Sequence, residues 1–228
     1  MIVLKKYNVN CLGITDNLLV FIPNTYIEKQ KMYKFRYNVY LKKHYITPNL
    51  DMLDIDIYDK ENGVIYINVF SVKLKKILGS VRIITRQNLP ILKDCFNFKE
   101  PLSIKLFAKH NIAELSRLII MPYTKNKFLP RHLILIIMIK EVLQILKDKK
   151  IFFVYAFIKS KLYFKFKKIK LPFYSIKNYN MKYNDGVLKE YFNQKNDPVL
   201  PVYFNYFFVK LFLVLTYVKI KKYINVID

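Results

Sequence analysis

The hydrophobic and polar pattern of the chain predicts alternating strands and helices. Ile112–Met121 is a run of mostly aliphatic residues that stops at Pro122, and it predicts a buried strand. Ile151–Ile158 is a second apolar run of strand length. Between them, Leu129–Lys149 is rich in Ile and Leu and closes on lysines, as helix C-termini favour. These segments predict a βαβ unit with a parallel strand pair at its centre.

The flanking segments predict further elements. Apolar and aromatic residues recur at three- and four-residue steps in 26–45, which predicts a helix, and 64–72 and 77–85 predict a pair of strands. The remaining expectations are an irregular segment 1–24 with a short strand at 18–22, loops at 48–62 and 87–105, a helix capped by Ser160 that ends near 168, short strands at 172–176 and 179–183, and a last helix near 202–222. This order predicts an α/β fold with a mixed sheet and helices on its faces.

The length of 228 residues suits one domain with an appendage. We expect a main domain at 1–180 and a C-terminal extension at 181–228, packed on it or at a membrane interface. The N-terminus lacks the long apolar run of a signal peptide. Val202–Ile220 is apolar but interrupted by Lys210 and Lys219, which favours a packed or interfacial helix over a spanning one. We therefore expect a cytoplasmic protein, with peripheral membrane contact through 202–220 left open.

The chain is strongly basic, with 40 Lys and Arg against 16 Asp and Glu and a net charge of +24. Part of this excess reflects the Lys-, Ile-, Asn- and Tyr-rich composition that an AT-rich genome produces. The remainder disfavours basic partners and favours nucleic acid, anionic lipid or an acidic protein. The 2 cysteines are too few for a disulfide framework or a cysteine zinc site, and the 3 histidines are scattered without metal spacing. We expect no metal site.

Glu114, Ser116 and Arg117 interrupt the apolar strand. Because strand residues alternate, Glu114 and Ser116 should share one face, with Arg117 on the other unless a bulge re-aims it. An unpaired charge among apolar neighbours would be unfavourable by roughly several kcal/mol. These charges therefore either pair with other charges or line a cleft, and a salt bridge at a strand end is the simplest alternative.

The loop 48–62 concentrates negative charge in a basic chain. It contains five of the 16 acidic residues, Asp51, Asp54, Asp56, Asp59 and Glu61. The spacing lacks the glycine and the final glutamate of a calcium-binding loop. We expect a polar cluster that binds a cation or pairs with Arg36, Arg82 or Arg117.

Four short motifs occur in order over roughly residues 33–121. They are Arg36-x-x-x-Tyr40 on the first helix, Asp54-x-Asp56-x-Tyr-Asp59 in the acidic loop, Gly79-x-x-Arg82 on a strand, and Glu114-Leu-Ser116-Arg117. Together they resemble the autoinducer-synthase branch of the GNAT superfamily, although Asp54 stands where the family usually has Glu. That branch contains acyl-homoserine-lactone synthases, N-acyl amino acid synthases and exosortase-associated acyltransferases.

The resemblance implies a GNAT-like mixed twisted sheet with helices on both faces and a C-terminal helical extension. It implies an N-acyltransferase that moves a fatty acyl group from acyl carrier protein to a small amine, giving an N-acyl amino acid. The donor is then acyl-phosphopantetheine, and no cofactor is tightly bound. A lactone synthase that uses S-adenosylmethionine is the alternative, which the lack of Trp disfavours because lactone synthases usually carry two.

The resemblance also assigns roles. Glu114 would be the base that deprotonates the acceptor amine. The residues expected around the acceptor are Arg36, Tyr40, Asp54, Asp56, Asp59, Arg82, Phe96, Ser116 and Arg117. One arginine would hold an acceptor carboxylate; the alternative, compatible with this role, is that the Arg–Asp set pins the loop to the sheet.

The basic connector at Lys125, Lys127 and Arg131 precedes a helix N-terminus, which suits a phosphopantetheine phosphate. The connector lacks the Gly-x-Gly loop of acetyl-CoA-dependent members, and the basic surface suits an acidic carrier protein. Two other hypotheses remain, a family member that has lost activity and a non-catalytic module for nucleic acid or anionic membrane. A nucleic-acid groove is unlikely if the acidic loop shares one cleft with Glu114.

Overall fold

The structure is a computed structural model that describes residues 1–11, 13–85, 89–107, 111–123, 131–220 and 223–227. The strands are β1 (Ile2–Cys11), β2 (Ile14–Ile22), β3 (Val64–Ser71), β4 (Lys76–Ile84), β5 (Phe96–Phe98), β6 (Ile112–Ile120), β7 (Phe153–Lys159), β8 (Tyr174–Ser175), β9 (Tyr179–Met181), β10 (Val199–Asn205) and β11 (Ile224–Ile227). The helices are α1 (Tyr26–Lys42), α2 (Leu102–Phe107), α3 (Arg131–Asp148), α4 (Ser160–Lys168), α5 (Lys189–Asn193) and α6 (Tyr206–Ile220).

Nine strands form one sheet in the order β11-β1-β2-β3-β4-β6-β7-β10-β8, while β5 and β9 pair separately. Neighbours in the large sheet are antiparallel except β6 and β7, which are parallel. The predicted mixed sheet and the central βαβ unit, β6–α3–β7, are therefore confirmed. Because only a crossover connection can join parallel neighbours, α3 lies across the sheet between them.

Helices cover both faces of the sheet, as predicted. On one face, Leu133 of α3, Phe166 of α4 and Leu213 of α6 belong to one buried apolar cluster. On the other face, Tyr37 of α1 and Phe192 of α5 belong to a second cluster. The second face also carries the charged residues of β6, so it is the face on which the site is built.

The N-terminal segment differs from the expectation. Residues 1–24 are not irregular, because β1 and β2 form a long hairpin whose turn contains Gly13 at φ +72°. The inward positions of β2 include Asp16, which interrupts the apolar alternation by which a strand is recognised. Asp16 is nevertheless satisfied, because it accepts hydrogen bonds from Ser71 Oγ, from Tyr123 Oη at 2.9 Å and from the Lys73 amide at 3.0 Å.

The C-terminal segment begins as a strand. The helix expected from residue 202 starts only at Tyr206, after β10 has paired with both β7 and β8. A continuous apolar run fits either element, and here Asn205 decides the boundary, because its Oδ1 accepts the Phe207 N–H at 2.8 Å. The division at residue 180 remains a proposal, although β10, which follows it, is an inner strand of the large sheet.

Two local expectations are also corrected. Ser160 is the first residue of α4 and not its cap. The side chain of Asp197 takes that place, because its Oδ1 accepts hydrogen bonds from Ser160 Oγ at 2.9 Å and from the Lys161 amide at 2.8 Å. The segment 87–105 is not one loop, since its described part contains a π-helical turn at Ile91–Cys95, β5 and the start of α2.

Candidate active site

A β-bulge in β6 brings the charged residues of that strand together. Ser116 pairs with Arg82 and Ile119 with Ser80, so two residues of β6 stand opposite one residue of β4. Arg117 is one of the two and has φ +57°, in the left-handed region. The bulge turns Arg117 towards the acidic loop, on the side where Arg82 lies. The bulge that the sequence left open as a way to re-aim Arg117 is thus present.

Arg82 joins β4, β6 and the acidic loop. Its Nε donates to Ser116 Oγ at 2.9 Å, and its Nη1 donates to Asp56 Oδ1 at 2.7 Å and to Asp59 Oδ1 at 2.8 Å. The guanidinium is buried, which lowers its pKa, but Asp56 and Asp59 raise it by more. Arg82 is therefore a permanent cation whose charge is balanced by the loop.

Arg36 makes the corresponding contacts from α1. The helix starts in a capping box formed by Thr25 and Glu28, which sets its first turn. Arg36 lies on the inward face of α1 and is fully buried. Its Nε donates to Asp54 Oδ2 at 2.7 Å, and its Nη2 donates to the Asp54 carbonyl at 3.0 Å and to Asp59 Oδ2 at 3.2 Å.

Arg117 completes the network. Its Nη2 donates to Asp56 Oδ2 at 3.0 Å, and its Nε lies 3.1 Å from Asp54 Oδ2 in an ion-pair contact. The Tyr40 ring centre lies 5.7 Å from its guanidinium, a cation–π contact from α1. Burial raises the pKa of the Tyr40 phenol to about 12, so the ring stays neutral. Arg117 thereby links its own motif to two of the other three.

The acidic loop is shaped by its own aspartates. Asp56 Oδ1 accepts the Tyr58 and Asp59 amides at 3.0 and 3.1 Å, and Asp59 Oδ2 accepts the Asp56 amide at 2.9 Å. This reciprocal cap starts the 3₁₀ turn Ile57–Lys60. Burial raises the pKa of Asp59, but Arg36 and Arg82 lower it by more, so it stays ionised. Three arginines and three aspartates thus neutralise one another while holding the loop on the sheet.

Glu114 stands apart from these ion pairs. It is fully buried, and its Oε2 accepts the Ile91 N–H at 2.7 Å. Its Oε1 is buried and has no hydrogen-bond partner among the described residues. Burial raises its pKa from 4.5 to about 7, against smaller lowering effects from Ile91 and Arg82. The carboxyl is therefore poised to exchange a proton near neutral pH.

The sheet opens next to Glu114. Residues Ile112 to Leu115 of β6 pair with Phe153 to Ala156 of β7, and the pairing then stops although both strands continue. Glu114 lies directly opposite Tyr155, one residue before the end of the pairing. Such a separation of two parallel strands exposes edge N–H and C=O groups to a bound molecule.

Two of three comparisons with known proteins gave no match. No protein-family model matches the chain, and no curated protein matches it. Solved structures do match. The AHL synthase LasI superposes with a TM-score of 0.59 at 14% sequence identity, covering 84% of this chain and 91% of that one.

FeeM, an N-acyl amino acid synthase from uncultured soil microbes, superposes with a TM-score of 0.58 at 13% identity, covering 84% of this chain and 93% of FeeM. This chain has the fold of the GNAT-type autoinducer synthases. The predicted resemblance is confirmed at that level, since identities this low show the fold alone. MesI, a CoA-dependent acyl-homoserine lactone synthase, also matches, with a TM-score of 0.52 at 12% identity over 80% of this chain and 84% of MesI. The autoinducer-synthase fold therefore does not by itself select the acyl donor.

Within this autoinducer-synthase fold, the expected site residues divide into two groups. The structure brings together Arg36, Tyr40, Asp54, Asp56, Asp59, Arg82, Ser116 and Arg117 in the network described above. Glu114 lies on the same face, close enough to Arg82 and Asp56 for both to influence its pKa. Phe96 instead packs in the aromatic core, 5.4 Å from the Tyr179 ring centre and 5.8 Å from that of Phe192.

The phosphopantetheine site predicted for this fold falls on the connector before α3. Lys125 and Lys127 lie outside the described residues. Arg131 is the first residue of α3, and its side chain also lies outside the description. That expectation therefore remains a proposal. Among the described residues, no cluster of His, Cys, Asp and Glu has the arrangement of a metal site.

The sequence did not reveal two buried polar groups on this face of the sheet. One is the Ile91 N–H, for which no pattern exists because a backbone amide carries no signal in the sequence. The other is Lys159, at the end of β7, which is buried beside the Tyr191 and Tyr45 rings at 4.4 and 5.5 Å. Burial lowers the Lys159 pKa to about 8. Lys159 directly follows the apolar run 151–158 and lies on the same strand face as Tyr155. A lysine at the end of such a run is the sequence signal that could have revealed it.

Proposed function

We propose that the protein is an N-acyltransferase that moves an acyl group from a thioester to the amino group of a small amine. The observation that carries this proposal is the Glu114 carboxyl. It is buried with a pKa of about 7, one oxygen is held by Ile91, and the other has no partner among the described residues. A base with a pKa near the operating pH is the most effective proton acceptor.

The reaction requires a neutral amine. Glu114, directly or through a water, takes one proton from the acceptor ammonium, and the amine nitrogen then attacks the thioester carbonyl carbon. A C–N bond forms and the C–S bond breaks; the second proton that the nitrogen loses goes to the leaving thiolate to give a thiol, and Glu114 releases its proton to solvent. The products are an amide and a free thiol. The parted edges of β6 and β7 offer backbone N–H groups for the developing oxyanion.

The Arg–Asp network would position the acceptor. Each arginine in it already pairs with a loop aspartate, so an acceptor carboxylate would share its arginine with an aspartate. Asp56 is the most accessible of the three aspartates, with 16% of its side chain exposed against none for Asp54 and Asp59. We therefore place the acceptor beside Asp56, between Arg82 and Arg117.

The donor we propose is acyl carrier protein, with its acyl-phosphopantetheine arm. The support is electrostatic, since carrier proteins are acidic and this chain carries a net charge of +24. The acceptor we propose is an amino acid, which gives an N-acyl amino acid. The alternatives that the experiment below separates are CoA as donor and S-adenosylmethionine as acceptor.

The non-catalytic binding module is disfavoured by the site. A nucleic-acid groove needs accessible cations, whereas Arg36, Arg82 and Arg117 are buried and neutralised by aspartates. Asp56 and Glu114 lie on the same face of the sheet and influence one another electrostatically. That arrangement suits a cleft with proton chemistry.

The test is amide formation by purified protein. Acyl carrier protein or CoA charged with acyl chains would be combined with each amino acid, or with S-adenosylmethionine, and the amide detected by mass spectrometry. Glu114→Gln should lower the rate by about 10²–10⁴ because a general base contributes that much. Glu141→Gln is the matched control, since Glu141 is also buried and accepts a hydrogen bond, from Tyr7 at 2.7 Å, but lies on α3.

Three outcomes are informative. Amide from wild type and from Glu141→Gln, but not from Glu114→Gln, supports the function and the base. Full activity of a folded Glu114→Gln refutes the base assignment. No amide or lactone from folded wild type with any donor and acceptor refutes the proposed function.

A further inference from the structure

One face of α6 is apolar and exposed to solvent. The following side chains of this helix are each more than half exposed: Phe207, Phe208, Leu211, Val214, Leu215 and Val218. At about 100° per residue they fall within an arc of roughly 120° on the helix. The opposite side buries Val209 and Leu213 in the core. The helix is therefore apolar on both sides, and the protein covers only one of them.

Neighbouring residues extend this apolar face. The Phe152 ring, 37% exposed, stacks on Phe207 with centres 5.4 Å apart, and the Tyr174 ring, 40% exposed, lies 6.5 Å from that of Phe208. The exposed parts of these six side chains together amount to on the order of 600 Å² of apolar area. That is the upper end of the range found for the largest apolar patch on a monomeric protein. A patch of that size marks an interaction surface.

Lysines lie near the apolar face, and residues 198–218, which include α6 as far as Val218, contain Lys210 and no acidic residue. Lys210 is exposed on α6 itself, and the exposed Lys150 lies two residues before Phe152. The Lys140 Nζ lies 5.1 Å from the centre of the Tyr217 ring on α6. The partner must therefore accept large apolar side chains and tolerate lysines beside them.

We propose that this face of α6 binds the surface of an anionic lipid bilayer, with the helix lying in the membrane plane. An apolar helix face flanked by lysines is the arrangement by which interfacial helices insert into the boundary between headgroups and acyl chains. A second copy of the chain fits less well, since two bodies of net charge +24 repel each other.

The helix α6 is too short to cross a bilayer. Its 15 residues span about 22 Å, less than the roughly 30 Å of a hydrocarbon core. Among the described residues, no helix combines the length and apolar character needed to cross a membrane. The inference rests on this surface alone and does not depend on the proposed function.

The test is flotation of purified protein with vesicles. Vesicles of phosphatidylcholine alone would be compared with vesicles that also contain phosphatidylglycerol, at low and high salt. Wild type should bind the anionic vesicles more tightly, and salt should weaken binding. The double variant Leu211→Gln/Leu215→Gln should bind at least about tenfold more weakly, because two half-exposed leucines no longer enter the bilayer.

The matched control is Leu102→Gln/Leu106→Gln, which also removes two exposed leucines four residues apart on a helix, here α2. It should bind as wild type does, and thermal melts by circular dichroism establish that both variants fold. Absence of wild-type binding to anionic vesicles overturns the proposal, and so does equal loss in both double variants. A dimer in sedimentation that only the α6 variant dissociates, without vesicle binding, would identify a second copy as the occupant instead.

Discussion

The burial of Glu114 makes a quantitative prediction about stability and pH. Its pKa is about 7 in the folded protein, against an ordinary value of 4.5. Below pH 4.5 the carboxyl is protonated in both the folded and unfolded states. Its contribution to the free energy of unfolding is then at its maximum. As pH rises from 4.5 to 7 the unfolded state ionises first, so the folded state loses stability. The loss ends above about pH 7.

A difference of about 2.5 pKa units corresponds to about 3 kcal/mol, since each unit is worth ~1.4 kcal/mol. The measurement is the free energy of unfolding in urea for wild type and Glu114→Gln at several pH values between about 4 and 8. Gln cannot ionise, so its difference from wild type isolates this carboxyl. Any other group that titrates in this range contributes equally to both proteins and cancels in that difference.

We expect the wild type to lose about 3 kcal/mol relative to Glu114→Gln between the two ends of this range. The steepest change should fall between pH 4.5 and 7. A relative change below about 1 kcal/mol would refute the reasoning, because Glu114 would then ionise in the folded protein nearly as easily as in water.

Three further predictions follow from the same site and its surroundings. If Glu114 is the base, kcat/KM should rise with pH and level off above about 7, measured as initial rates of amide formation, and a profile without that rise would contradict the role. Arg36→Met should lower the free energy of unfolding in urea by about 3–5 kcal/mol because it leaves two buried aspartates short of a partner. Lys29→Met, exposed on the same helix, should change it by less than about 0.5 kcal/mol, and equal effects would contradict the network. Asp197→Ala should lower the free energy of unfolding by about 1 kcal/mol because it removes the acceptor at the start of α4, and no loss in urea unfolding would exclude that role.

The sequence predicted the central part of the fold because pattern and chemistry agreed there. Ile112–Met121 reads as a buried strand, and its charged residues were expected either to pair with other charges or to line a cleft. The acidic loop provided those charges, and the structure joins the two through Arg82 and Arg117. The bulge was left open by the sequence, because strand alternation alone would have placed Arg117 on the face opposite Glu114 and Ser116.

The errors arose where a side chain departs from its usual environment. Asp16 is a buried carboxylate in β2, and its three hydrogen-bond donors come from distant parts of the chain, so the hairpin had no clear alternation. At the C-terminus residues 199–209 are apolar or aromatic except for Asn205, so strand and helix could not be separated by period. The Ile91 contact to Glu114 depends on a backbone amide and leaves no trace in the sequence.

The order of strands in the sheet also has a consequence for how the chain is synthesised. β1–β2 and β3–β4 are two local hairpins, each of which can pair as it leaves the ribosome. The outer neighbour of β1, however, is β11, and Tyr7 pairs with Val226. The edge of β1 therefore stays without its partner while almost the whole chain is translated. During that interval an open strand edge is available to a chaperone, or to another nascent chain.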